Sequence, residues 1–316
     1  STTAAASTFE IVAREWHAKN KATWTPAVAR RILSALERDA FPSIGNVPCG
    51  TLTAPQVLTM LRKIEARGVA YSAGKMREYV GQIMRYAVAT GRAERDPSAD
   101  LRDALTTPKT KHFAAKTEPA EVADLLRKVD AYQGMFSVRI ALRLAPMLFQ
   151  RPGEIRRMRW AELDLEAGTW SYYIPKTRAN HLAPLPTQAI VLLRELQAVT
   201  GNGEWVFAGV RKGRPISGNT LNAALRAMGI DTQEEHTSHG WRATARTLLH
   251  EEIGVDPNVI EHQLSHKVTD VLGPTYNRTR FLAQRRKMMQ TWADYLERLK
   301  TGVDVTHLPH LRLQAD

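Results

Sequence analysis

The sequence predicts a mainly α protein in two domains: a helical first domain, and a mostly helical second domain holding a small antiparallel sheet. Three observations predict it. Apolar residues recur at helical spacing along most of the chain, as at Met76, Val80, Ile83 and Ala87. Runs rich in β-formers are few, and the clearest are "GTWSYYI" and "HLAPL", joined by the turn-forming "PKTRAN". Between the two helical regions, "ERDPSADLRDALTTPKTKHFAAKTEP" holds prolines and lysines and no sustained apolar period, as an interdomain linker does.

Taken in order, the first helix spans Phe9 to Lys19. The second spans Pro26 to Phe41, with Thr25 as its cap and Pro26 in the first helical position, where a missing N–H costs nothing. Gly68 stops a third helix, Pro55 to Arg67, and Gly91 stops a fourth, Ser72 to Thr90. In "TEPAEVADLLRKV", Thr117 caps a helix with an early proline and acids in its first turn. An apolar helix follows from Phe136 to Phe149, and Pro152 opens another with Glu154 in its first turn. After the hairpin, "EWVFAG" reads as a short strand. "NTLNAALRAMG" is a helix ending at Gly229, and "TSHGWRATARTLLHEEIG" is a capped helix ending at Gly254. "DPNVIEHQLSH" is capped by Asp256, and "RFLAQRRKMMQTWADYLERLK" is a long amphipathic helix. Met288, Trp292, Tyr295 and Leu296 share a face of that last helix, which suits docking on a neighbouring protomer or packing on its own domain. The expected division is 1–105, a linker at 106–117, a second domain at 118–300, and a loosely ordered tail at 301–316.

Composition narrows the partners. A chain of 316 residues can build two domains, each with its own core. No apolar run has bilayer-spanning length and no signal-peptide pattern opens the chain, so a cytoplasmic protein is expected. The single cysteine, Cys49, excludes an internal disulfide and fits a reducing compartment. Lys and Arg number 44 against 32 Asp and Glu, and a net charge of +12 calls for a polyanionic partner. The basic residues are spread along the chain rather than gathered in one amphipathic helix, which favours nucleic acid over a membrane surface. Arg30, Arg31, Lys75, Arg77, Lys109 and Lys111 are candidate contacts to a DNA backbone.

Several motifs fail on inspection. "HEEIG" lacks the second histidine of a zinc-protease helix, since position 254 is Gly. "GNGEWV" lacks the third glycine of a dinucleotide loop, and no P-loop is present. His262 and His266 are spaced for a metal, but no cysteine or carboxylate set joins them, so neither metal nor cofactor is expected.

One polar set makes chemical sense together. Arg151 stands at the junction between an apolar helix and a new one, in "QRPGEIRRMRW". "IPKTR" puts Lys176 on the hairpin tip, and "SHGWR" puts His239 and Arg242 on one helix face. "LSHKV" adds His266 and "PTYNR" adds Tyr276. Two guanidinium forks can hold the non-bridging oxygens of a phosphodiester and stabilise the charge of its transition state. A tyrosine can attack phosphorus once a base or a positive field removes its proton, and a lysine can protonate the leaving oxygen. No metal is required if the arginines carry the charge.

The order Arg, Lys, His-x-x-Arg, His, Tyr resembles the tyrosine recombinases of the phage-integrase type. "RPGEIRRMRW", "HGWRATARTLLHE", "IEHQLSHKV" and "YNRTRFLAQRRKMMQTWADYL" resemble, more narrowly, the P4-like integrases of prophages and genomic islands, over about residues 7 to 300. The resemblance implies a helical core-binding domain and a catalytic domain closing around DNA. It implies catalytic roles for Arg151, Lys176, His239, Arg242, His266 and Tyr276, with Tyr276 as nucleophile, Lys176 as general acid and Glu154 as an orienting acid. Lys109, Lys111 and Arg178 compete for the lysine's place, and His262 competes with His266. It implies strand exchange by a homo-tetramer on double-stranded attachment sites, assisted by DNA-bending or excision factors, at a bacterial nucleoid. Full-length relatives carry a further N-terminal arm-binding domain, which this sequence is expected to lack. The competing readings are a type IB-like topoisomerase and an inactive, DNA-binding prophage remnant.

Overall fold

The computed structural model describes residues 7–101, 103–107, 113–175, 179–265 and 281–302. They fall into two compact units, Ser1–Lys111 and His112–Asp316.

The first unit is helical. It contains α1 (Phe9–Asn20), α2 (Pro26–Ala35), α3 (Phe41–Ile44), α4 (Ala54–Glu65) and α5 (Ala70–Ala89). Thr25 caps α2 by accepting from the Val28 N–H at 3.4 Å. The helix expected as far as Phe41 widens into a π turn over Leu36–Ala40 and then continues as α3 to Ile44. In α4, Val57, Met60, Leu61 and Ile64 are buried at helical spacing, and Gln56 accepts from the Thr53 N–H at the helix start. These side chains meet Phe9, Trp16, Leu36 and the Met76–Val80–Ile83–Ala87 stripe of α5 in one core. Cys49 lies in that core, where burial pushes its thiol up to about 11, so it is unreactive as a nucleophile.

The second unit holds α6 (Pro119–Ala131), α7 (Phe136–Leu148), the single turn α8 (Pro152–Ile155) and a three-stranded sheet. The strands β1 (Leu163–Asp164), β2 (Thr169–Ile174) and β3 (Ala179–Pro184) run antiparallel in that order. The hairpin register pairs Thr169 with Pro184 and Ile174 with Ala179. Then come α9 (Thr187–Thr200), α10 (Thr220–Ala227), α11 (Trp241–Glu251), α12 (Pro257–Gln263) and α13 (Leu282–Thr301). Glu118, not Thr117, flanks α6, and it makes no capping bond.

"EWVFAG" is not a strand. Its Val206 and Phe207 are both buried, which an alternating strand with one wet face would not allow, and the segment makes only isolated bridges, Arg159 to Trp205 and Ala208 to Pro215. The last helix packs on its own unit: Met288, Trp292, Tyr295 and Leu296 are all buried, and the Trp292 indole donates to the Pro146 carbonyl at 2.9 Å. Among the described residues no helix is long and apolar enough to cross a membrane.

Candidate active site

Two arginines define the site. α7 closes on Phe149, whose left-handed backbone (φ 38, ψ 30) ends the helix and lets Arg151 stand beside the turn α8. Arg242 lies in the first turn of α11 and is only 6% exposed. Its Nη1 donates to the Phe149 carbonyl at 3.1 Å and its Nη2 to the Leu264 carbonyl at 2.8 Å. These acceptors are neutral, so they fix the fork without cancelling its charge. Burial first, and then the charge of Arg151, pull Arg242 down to about 10, while Glu154 opposes the shift. Arg242 is therefore still a cation at neutral pH. Two neighbouring guanidiniums, one of them buried, are a costly arrangement that an anion relieves.

Arg151 is oriented by Glu154. The guanidinium donates to one carboxylate oxygen at 2.9 Å, and the Arg151 backbone N–H donates to the other at 3.2 Å. The helix opened by Pro152 is one turn only, so its dipole adds little at Arg151. His239 is not on the face of α11 beside Arg242. It sits in the turn before that helix, closed by the Arg242 N–H donating to the His239 carbonyl at 3.2 Å. Phe113 packs on the imidazole with ring centroids 4.3 Å apart. Gly240 in this turn has to be glycine, because a Cβ there would come within 2.4 Å of the Ala114 carbonyl.

A buried polar network underlies the arginines. The Tyr172 hydroxyl, on β2, is 3.1 Å from Glu154 Oε2 and 3.1 Å from Gln150 Oε1. Burial, followed by the Glu154 charge, holds this phenol well above its ordinary range, so it stays protonated. Gln150 donates to the Gln263 carbonyl at 2.8 Å. Arg285, on α13 and 2% exposed, donates to Gln263 Oε1 from Nε at 2.9 Å and from Nη2 at 2.7 Å, and also to the Leu182 carbonyl of β3. Burial pulls Arg285 down to about 10. His181, paired with Tyr172 across the hairpin, is pushed to about 3 by burial and then by the Arg285 charge, and is neutral.

Comparison with known proteins decides the family. Residues 9–104 match the phage integrase central domain, and residues 116–282 match the phage integrase family. The integrase of Enterobacteria phage P4 is 37% identical over 306 residues, covering 92% of this chain and 69% of that protein.

The chain belongs to the phage integrase family.

Prophage integrase IntA of Escherichia coli K12 is 31% identical to this integrase, over 97% of the chain and 74% of the relative. Among solved structures, lambda integrase residues 75–356, a dimer bound to a COC′ core site, shares the fold with a TM-score of 0.67 at 19% identity, covering 84% of this chain and 97% of that one. A lambda integrase tetramer bound to a Holliday junction gives 0.66 at 19% identity, covering 85% of this chain and 80% of that one. The integrase is thus a tyrosine-type site-specific DNA recombinase, an enzyme that breaks and rejoins strands.

Of the expected site residues, the structure brings Arg151, Arg242 and the orienting acid Glu154 together and sets His239 in the turn leading to Arg242. Lys176 and its rivals Lys109, Lys111 and Arg178 lie outside the described residues, as do His266 and Tyr276. His262 packs on Phe281 with ring centroids 5.2 Å apart. Of the candidate DNA contacts, Arg30 and Arg31 are exposed on α2, Arg77 is half-buried, and Lys75 is paired with Glu78 at 2.6 Å. The structure also places next to the site residues that the sequence did not flag: Tyr172, Gln150, Gln263 and Arg285. One signal was available, because Arg285 lies on the buried stripe of α13 with Met288, Met289 and Trp292, where a cation needs a reason.

Proposed function

We propose that the integrase cuts DNA by attack of the Tyr276 oxygen on a phosphodiester. The Tyr–O–P bond forms as the bond to the 5′-oxygen breaks, giving a 3′-phosphotyrosyl link, and Lys176 gives the leaving oxygen its proton. Arg151 and Arg242 hold the non-bridging oxygens, with His239 and His266 as further donors. The 5′-hydroxyl of a partner strand then attacks the link, which regenerates the tyrosine. Bond energy is stored in the link, so the exchange is isoenergetic and needs no nucleotide cofactor. Two rounds in a homo-tetramer on double-stranded attachment sites, through a Holliday junction, integrate or excise a mobile element in a bacterial cytoplasm, with accessory DNA-bending or excision proteins setting direction. One observation supports this reading above the others: the buried Arg242 fork donates to backbone carbonyls at 3.1 and 2.8 Å and lies close enough to Arg151 to feel its charge, an arrangement that fits one shared phosphate.

The test is covalent trapping on nicked duplex from the element's boundary, resolved on a denaturing gel. Wild type should give a shifted protein–DNA band. Tyr276→Phe should bind DNA and give none; a band from that variant places the nucleophile elsewhere. Arg151→Ala should lose roughly two to three orders of magnitude in cleavage, as removal of a transition-state donor does. Near-normal cleavage would refute its role.

A further inference from the structure

A basic loop is tied by its root to the chain that leaves α8 and to the start of α7. Among the described residues, the side chains of Arg211, Lys212 and Arg214 make no ion pair or hydrogen bond, and all three are exposed. Several exposed cations of this unit are paired, as Arg159 is with Glu204 and Arg194 with Glu166, whereas these three stand unpaired within four residues of one another. Val210, next to them, is 90% exposed, an unusual place for an apolar side chain.

The loop is built rather than slack. Gly209 N–H donates to the Arg214 carbonyl at 2.8 Å, and Arg214 N–H to the Arg211 carbonyl at 3.1 Å. The Trp205 indole donates to the Gly213 carbonyl at 3.2 Å, and Gly213 supplies the positive φ of 70° that the turn needs. Side chains on such a frame lose little further freedom when they meet a ligand. The loop borders an open cleft of about 780 Å³ whose lining includes Ser217 and Thr220.

The root of the loop is bonded to the chain leaving α8. Arg156 donates to the Ile216 carbonyl at 3.0 Å, and Val206 N–H donates to the Met158 carbonyl at 3.0 Å. Arg156 lies just past the single turn α8, five residues after Arg151. A duplex lying on Arg151 thus has its neighbouring phosphates within reach of side chains rooted here.

We propose that residues 209–216 form a DNA-backbone contact flanking the cleaved phosphate. Arg211, Lys212 and Arg214 neutralise phosphates, and Val210 packs against sugar or a base edge in the adjoining groove. The inference rests on the reading that Arg151 and Arg242 hold the scissile phosphate.

The test measures binding of the full chain to labelled attachment-site duplex by anisotropy between 50 and 200 mM salt, for wild type and R211Q/K212Q/R214Q. Each lost phosphate contact removes about 0.9 from the slope of log affinity against log salt. The triple variant should lower the slope by about 2 to 3 and weaken binding at least tenfold. Its single-turnover covalent product at saturating protein should form at the wild-type rate. An unchanged slope overturns the proposal. If the triple variant fails to fold, K212E and V210D serve instead: each should weaken binding, and wild-type affinity in both overturns the proposal. The trapping experiment separates the two readings, because absent covalent product in wild type refutes the chemistry while the slopes still report on the loop.

Discussion

At the residue scale, the buried cation Arg285 is expected to act as a positioning residue. It joins Gln263 to β3, and Gln263 in turn holds Gln150, beside Arg151. Arg285→Met keeps the volume but leaves Gln263 Oε1 and the Leu182 carbonyl without donors, which costs roughly 1–3 kcal/mol of stability per orphaned group. Misplacement of the catalytic groups by about 1 Å costs on the order of a hundredfold in rate. The expected outcome is single-turnover cleavage down 10- to 100-fold with DNA affinity unchanged, and Arg285→Lys in between. Trapping rates at saturating protein against binding isotherms would check this; full cleavage by Arg285→Met would refute it. The reacting set was legible in the sequence because phosphoryl chemistry demands particular residue types in a recognisable order. The supporting set was not, because positions 150, 172, 263 and 285 become neighbours only when three helical regions and a hairpin converge.

At the element scale, α13 is part of its own unit's core. Trp292 is fully buried, packs edge-on to Phe149 at 6.2 Å and bonds to the Pro146 carbonyl. Trp292→Ala should cost about 3–5 kcal/mol, the usual loss for a buried tryptophan. A urea-denaturation midpoint would show it, and a loss under about 1 kcal/mol would mean the helix is held elsewhere. Helices were legible where punctuation was strong, as at Thr25–Pro26 and at Gly68 and Gly91, both with positive φ. Strands were less so. β1 has two residues, too few to carry a period, and "EWVFAG" is apolar because an irregular segment fills the core.

At the scale of the whole molecule, two buried histidines set an acid limit. Burial, aided by Arg285 for His181 and by Lys116 for His236, pushes both to about 3. The unfolded chain takes up those protons near the ordinary histidine value of about 6.5. Between about 6.5 and 3 the unfolded state binds more protons, so stability is complete above 6.5 and drains away as pH falls. A loss of a few kcal/mol by pH 4 is expected from melts across pH 8 to 4, and His236→Asn should remove about half of it, leaving the share of His181; a level profile from 7 to 5 contradicts it. The same corner of the fold has a consequence for how such proteins can be recombined as modules. The chain arriving from the first unit is fastened to the catalytic turn: Ala114 accepts from Thr237 N–H at 2.9 Å, Lys116 N–H donates to His236 at 3.1 Å, and Thr244 donates to the Lys116 carbonyl at 2.6 Å. A chimaera that borrows its first unit from another integrase should be joined before Phe113, whereas a junction or insertion between 113 and 117 would cut the fastening and loosen His239 itself.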